Sequence, residues 1–151
     1  MFEGLDDIDW ESFGTRLVHG GETKDIPTHI RNLLHEDWHV RENALEGLVG
    51  SGQHFGMLDK ATPFIVPFIL EALHDEQCPD CWYLLQGLAV ICSHIFIPIT
   101  SIRHWRLAIQ IYDEIIKGFP LYLRLFEDNE IKTRWEAAAL LASMQDHSQE
   151  A

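Results

Sequence analysis

Basic residues are scarce in this chain. Eleven Lys and Arg face 24 Asp and Glu, a net charge of −13 with histidine neutral. A surface of that sign repels nucleic acid and anionic lipid, since both need Lys and Arg against their phosphates. No nucleic-acid or membrane partner is therefore expected. Long apolar runs are also missing. The longest, Gly87 to Thr100, is interrupted by His94 and Pro98 and falls short of the roughly 18 residues that mark a membrane helix. Residues Met1 to Asp7 contain no basic segment ahead of an apolar one, so no export signal is read there. Three cysteines, an odd number, are then read as reduced thiols and the protein as cytoplasmic. There is no Gly-x-Ser-x-Gly elbow, and the one glycine pair near a lysine, Gly20-Gly21 before Lys24, lacks the spacing of a phosphate loop. Apolar–polar alternation of the strand type is absent. These absences point away from an enzyme, and no catalytic residue or cofactor is expected.

The most informative feature present is self-similarity. Pro27 and Pro120 lie 93 residues apart, as do Arg41 and Arg134, and the segments around them align without a gap. A middle copy begins at Val66-Pro67-Phe68, 40 residues past the first. Copies of this length read as helix pairs that cannot bury their apolar faces alone and do so by stacking.

Residues 1–24 form an acidic leader, with Ile8 and Trp10 as the anchors that dock it on the first repeat. Repeat one spans 25–50: Asp25 caps a helix opened by Pro27, and Asp37 caps a second carrying Val40, Ala44, Leu45 and Leu48 on one stripe. Repeat two spans 62–95. Thr62 caps its first helix, Pro67 lies inside it and predicts a kink or late start, and Asp80 caps a nearly all-apolar second helix. An added helix covers 102–117 after the break at Pro98, capped by Ser101, with Leu107, Ile111, Ile115 and Phe119 on one side. Repeat three spans 118–145, its second helix placing Ile131, Trp135, Ala138 and Ala142 at i, i+4, i+7 and i+11. A polar tail follows from Gln145. The leader and the added helix are the candidates to close the two ends of the stack.

A helix opened by Pro and closed by Leu-Leu, an acidic turn, then Asp, Val-Arg and Ala resembles the HEAT repeat. Pro27, Leu33, Leu34, Asp37, Val40, Arg41, Ala44 and Leu48 carry the likeness in repeat one, and Pro120, Arg134, Ala137 and Leu141 in repeat three, with Glu130 in place of the Asp. The resemblance implies an all-α fold, a short right-handed α-solenoid of about three helical hairpins. It also implies that Asp37 with Arg41, and Glu130 with Arg134, are structural. A narrower similarity is to short bacterial HEAT-repeat proteins, through the leader, Gln53-His54-Phe55-Gly56 and the stretch Ala61 to Phe68. Some of those look like immunity proteins that neutralise a toxin.

The candidate partner-binding residues are Trp38, His39, Glu42, Glu46, Trp82 and Glu136, placed on the second helices that line a solenoid's concave side. Trp38 serves either as an interface anchor or as a plug between leader and repeat one. The acidic excess suits a basic protein partner, and equally serves solubility. The candidate metal ligands are His74, Cys78 and Cys81, one short of a closed zinc set, so no metal is expected. The leading functional expectation is a non-enzymatic immunity protein that covers the active site of a basic bacterial toxin, such as a nuclease. The alternatives are a HEAT-repeat scaffold or adaptor with an unrelated partner, or a metal-dependent or base-repair enzyme.

Overall fold

The computed structural model describes residues 1–95 and 101–148, the last four as backbone. The fold is all-α. Its helices are α1 (Ile26–Asn32), α2 (Trp38–Val49), α3 (Thr62–His74), α4 (Cys81–Ile95), α5 (Ile102–Ile116), α6 (Phe119–Phe126) and α7 (Ile131–Ser148). Extended pairing among the described residues is confined to one isolated bridge, Arg16 to Glu22. No helix among the described residues is long and apolar enough to cross a membrane. The break expected at Pro98 and the end of the polar tail lie outside the described residues.

The 93-residue register survives in the backbone. α1 and α6 start at Ile26 and Phe119, and α2 and α7 at Trp38 and Ile131. It survives in side-chain chemistry as well. Arg41 Nη1 donates to the carbonyls of His35 (2.6 Å) and Glu36 (2.8 Å), and Arg134 Nη1 to those of Asp128 (2.8 Å) and Asn129 (3.1 Å). Each arginine thus satisfies the carbonyls that the preceding helix end and turn leave over.

Caps explain some boundaries and revise others. The Asp37 carboxylate accepts from the His39 and Val40 amides, at 2.8 and 3.4 Å, and Gly50, at φ 86°, ends α2. Ser101 caps α5 through the His104 amide. Asp25 makes no side-chain cap bond. Thr62 is the first residue of α3 rather than its cap; its hydroxyl accepts the Asp59 amide, and the Asp59 carboxylate takes the Ala61 amide. Asp80, expected to cap α4, sits at φ 52° and gives its carboxylate to side chains instead. α3 runs on through Pro67, which faces solvent.

α4 is the centre of the packing. Leu84, Leu85, Leu88, Ile91, Cys92 and Ile95 are buried along it, at about 1.5–3 kcal/mol for each large aliphatic side chain. It touches α2 on one side and α7 on the other, while α3 lies between α1 and α5. Gly87 sits where an added Cβ would lie 3.3 Å from Leu45, which lets α2 approach closely. The added helix α5 therefore takes the place beside α3, and α6 packs on α7.

Three packing expectations change. The leader does bury Trp10, with Ile8 half-buried, but the rings rest on α3, not on repeat one: Trp10 lies 6.3 Å from Phe68 and Phe13 4.8 Å from Phe64. The bond from Arg31 to Asp6 (2.6 Å) and the packing of the turn at Thr23–Asp25 tie it to α1 as well. On α7 the expected stripe of Ile131, Trp135, Ala138 and Ala142 faces away from the core, with Ile131 70% and Trp135 76% exposed. The buried set is Thr133, Ala137, Leu140 and Met144. The large side chains of α4 call for small ones opposite, and Thr133 and Ala137 provide them. Phe119, expected with the inner residues of α5, is 40% exposed.

Candidate protein-binding face

The starts of α2 and α4 meet across an aromatic contact. The Trp38 and Trp82 rings stack at 5.7 Å with 22° between their planes, and Tyr83 packs on both, 5.0 Å from Trp38 and 5.5 Å from Trp82. Phe55, from the connection before α3, stacks beyond Tyr83 at 6.5 Å. Trp38, Trp82 and Tyr83 are each half-buried, so the cluster is anchored below and open above. Trp38 touches the second helix pair rather than the leader, which removes its role as a plug.

A polar clamp fixes these rings. Arg41, held by the two turn carbonyls, also bonds the Asp80 carboxylate, and its guanidinium lies 5.8 Å from the Trp38 ring centre. The other Asp80 oxygen accepts the Trp82 indole N–H at 3.4 Å. One arginine and one aspartate thus orient both tryptophans and join the first helix pair to the second. Asp37, which the HEAT resemblance coupled to Arg41, caps α2 instead. Glu130, its counterpart, accepts from the Thr133 hydroxyl at 2.6 Å.

From Trp82 the ridge passes to α7. Lys132 Nζ stands 4.7 Å from the Trp82 ring centre, a cation over a π face. Ile131 and Trp135 flank Lys132 and line an open hollow of about 260 Å³ with it. Three helices, α2, α4 and α7, therefore contribute to one row.

Carboxylates border the row. Glu42 and Glu46 act on Tyr83, whose phenol is pushed up to about 12, chiefly by burial and then by these two charges. His39 Nδ1 lies 3.5 Å from Glu42 on the exposed side of α2. Glu136 is half-buried one turn along α7 from Lys132, and burial raises its carboxyl above the usual range. Trp38, Trp82, His39, Glu42 and Glu46 thus gather around one cluster, while Glu136 is placed by register alone. Tyr83, Phe55, Lys132, Ile131 and Trp135 were not anticipated as site residues. The Trp82-Tyr83 doublet and the 93-residue match of Trp38 to Ile131 are the signals that point to two of them.

The proposed metal set does not assemble. His74 turns its Nδ1 to the Leu70 carbonyl at 2.9 Å. Among the described residues, no three His, Cys, Asp or Glu converge as metal ligands. The Cys81 thiol donates to the Cys78 carbonyl at 3.3 Å and the Cys78 thiol to the Pro79 carbonyl at 3.7 Å; the closeness of the two thiols pushes Cys78 well above the usual thiol range and holds Cys81 below it. They open on a cavity of about 330 Å³ shared with Asp75, Glu76, Asp128 and Glu130.

Compared with protein-family models, curated proteins and solved structures, the chain matches none.

Proposed function

We propose that this chain is a non-enzymatic binding protein, a short α-solenoid of three HEAT-like hairpins whose Trp38–Trp82 face grips a basic protein. Its most concrete form is an immunity protein that covers the active site of a basic bacterial toxin, such as a nuclease. The observation that carries this reading is the half-exposed Trp38–Trp82–Tyr83 cluster, locked from beneath by Arg41 and Asp80 and bordered by Glu42 and Glu46. Rigid aromatic anchors lose little entropy on binding and supply most of an interface's energy. The acidic border and the net charge of −13 select a cationic partner and speed its approach. The repeated arginine-to-turn bonds, 93 residues apart, support the hairpin stack.

The test mixes the purified chain with the toxin domain encoded by the neighbouring gene and follows association by stopped flow. A complex forms whose association rate falls about tenfold or more between low salt and ~0.3 M salt. Trp38→Ala or Trp82→Ala weakens it by about 2 kcal/mol or more. No complex at low ionic strength sinks the proposal. A complex indifferent to salt and to both tryptophans favours an adaptor that uses another surface.

A further inference from the structure

Among the described residues, the outer side of α5 and α6 carries an exposed apolar row, with Tyr112, whose hydroxyl donates to the Met144 carbonyl at 3.5 Å, at its inner edge. On α5, Ile102, Trp105, Ile109 and Ile116 are each 42–71% exposed. The helix buries the adjoining face through Ala108, Ile111 and Ile115, so it is apolar over a wide arc. Only Lys117 and Gly118, both with right-handed helical dihedrals, separate α5 from α6. There the exposed set continues as Phe119, Leu123 and Phe126, each 40–49% exposed. Half-buried Tyr112 fills the remaining position. The resulting order 102, 105, 109, 112, 116, 119, 123, 126 steps by three and four throughout, the spacing of a coiled-coil seam. Monomeric soluble proteins rarely leave so long an apolar row in water.

The charges beside the seam indicate what covers it. Along one flank of α5 the order is Arg103, Arg106, Gln110, Asp113, basic at the start and acidic at the end. Two such helices laid antiparallel set each Arg103–Arg106 end against the other's Asp113. That match is self-complementary, as a two-fold interface requires. The overall charge agrees with it. Residues 1–95 hold 16 Asp and Glu against five Lys and Arg, whereas residues 96–151 hold eight against six. A contact between the C-terminal halves keeps the strongly acidic halves apart.

We infer that the protein is a homodimer, two copies meeting through an antiparallel, two-fold pairing of their α5 helices along the exposed row. The pairing leaves the Trp38–Trp82 face outside the interface, so one dimer presents two copies of it. This inference does not depend on what that face binds.

Sedimentation equilibrium of the full chain at tens of micromolar tests it. The expected mass is twice the 17.4 kDa of one chain. Ile109→Glu, at an exposed position, raises the dimer dissociation constant by about 100-fold or more while leaving the helical circular dichroism unchanged. Arg106→Asp weakens the dimer, and adding Asp113→Arg restores it. Hydrogen exchange of the wild type gives a readout that needs no variant: amides of α5 gain protection as concentration rises. A monomer at ~100 µM, a dimer indifferent to Ile109→Glu, or concentration-dependent protection elsewhere overturns the inference. Failure of the charge swap to restore association overturns the antiparallel arrangement.

Discussion

Removing the Arg41 guanidinium tests how the first two helix pairs are joined. Its side chain is 10% exposed, its Nη1 serves two carbonyls, and its Nη2 pairs with Asp80, whose side chain is 32% exposed. Arg41→Ala leaves two carbonyls and one carboxylate short of a donor. Hydrogen bonds to a charged group contribute about 1.5–3 kcal/mol each, and the partial exposure of Asp80 discounts its share through solvent screening. The expected loss is about 3–4 kcal/mol, below the roughly 5 kcal/mol extreme for breaking a fully buried pair. The repeat supplies its own control. Arg134 makes the same two carbonyl bonds and has no carboxylate partner among the described residues, so Arg134→Ala costs about 1–2 kcal/mol. Urea denaturation followed by circular dichroism measures both. A double-mutant cycle with Asp80→Asn isolates the bridge, at about 1–2 kcal/mol of coupling. Near-ultraviolet circular dichroism adds a local readout, since loss of Arg41 frees Asp80 and with it the Trp82 indole. Equal costs for the two arginines, or a coupling near zero, refutes the claim that Arg41 ties one pair to the next.

Three further outcomes follow from local chemistry. Iodoacetamide modifies Cys81 ahead of both other thiols, because Cys81 is held below the usual range while Cys78 is held well above it and burial pushes Cys92 up to about 11; mass mapping of a time course checks the order. Burial lowers the pKa of His29 and His19, so the unfolded chain takes up these protons before the folded one does. Their contribution to stability is complete above the unfolded value near 6.5 and is lost as pH falls through the lower folded value. Stability measured by urea titration therefore drops between pH 7 and 5.5, and His29→Gln flattens that slope. Gly56 has φ 78°, and a Cβ there would lie 2.9 Å from the Val90 carbonyl carbon. Gly56→Ala thus loses about 2–3 kcal/mol from backbone conformation and overpacking together, read as a lower urea midpoint.

The sequence was most informative where the same local problem is solved twice. Pro27 and Pro120 open helices at matching positions, and Arg41 and Arg134 bond matching carbonyls, because helix ends and turns are local and recur with their residues. Trp38 and Trp82 stood out singly as anchors, but their stacking needed the pairing of α2 with α4, a long-range fact. The α7 face was misread for a related reason. Ile131 and Trp135 give a strong hydropathy signal at helical spacing, while the buried Thr133 and Ala137 give almost none. Which side turns inward is set by packing against α4 and α6, a long-range fact. Asp80 is the residue type of a helix cap, yet its carboxylate goes to Arg41 and Trp82. Spacing on one helix cannot reveal a partner 39 residues away. The outer row of α5 and α6 is hard to read from the sequence because α5 carries two apolar rows at helical spacing, and spacing does not tell which one is covered.

Oxidative footprinting of the tryptophans, with and without the toxin domain encoded beside the gene, tests the binding face most directly. The expected result is protection of Trp38 and Trp82, with the oxidation of exposed Trp105 on α5 unchanged. Undiminished oxidation of Trp38 and Trp82 in a complex that has formed contradicts it.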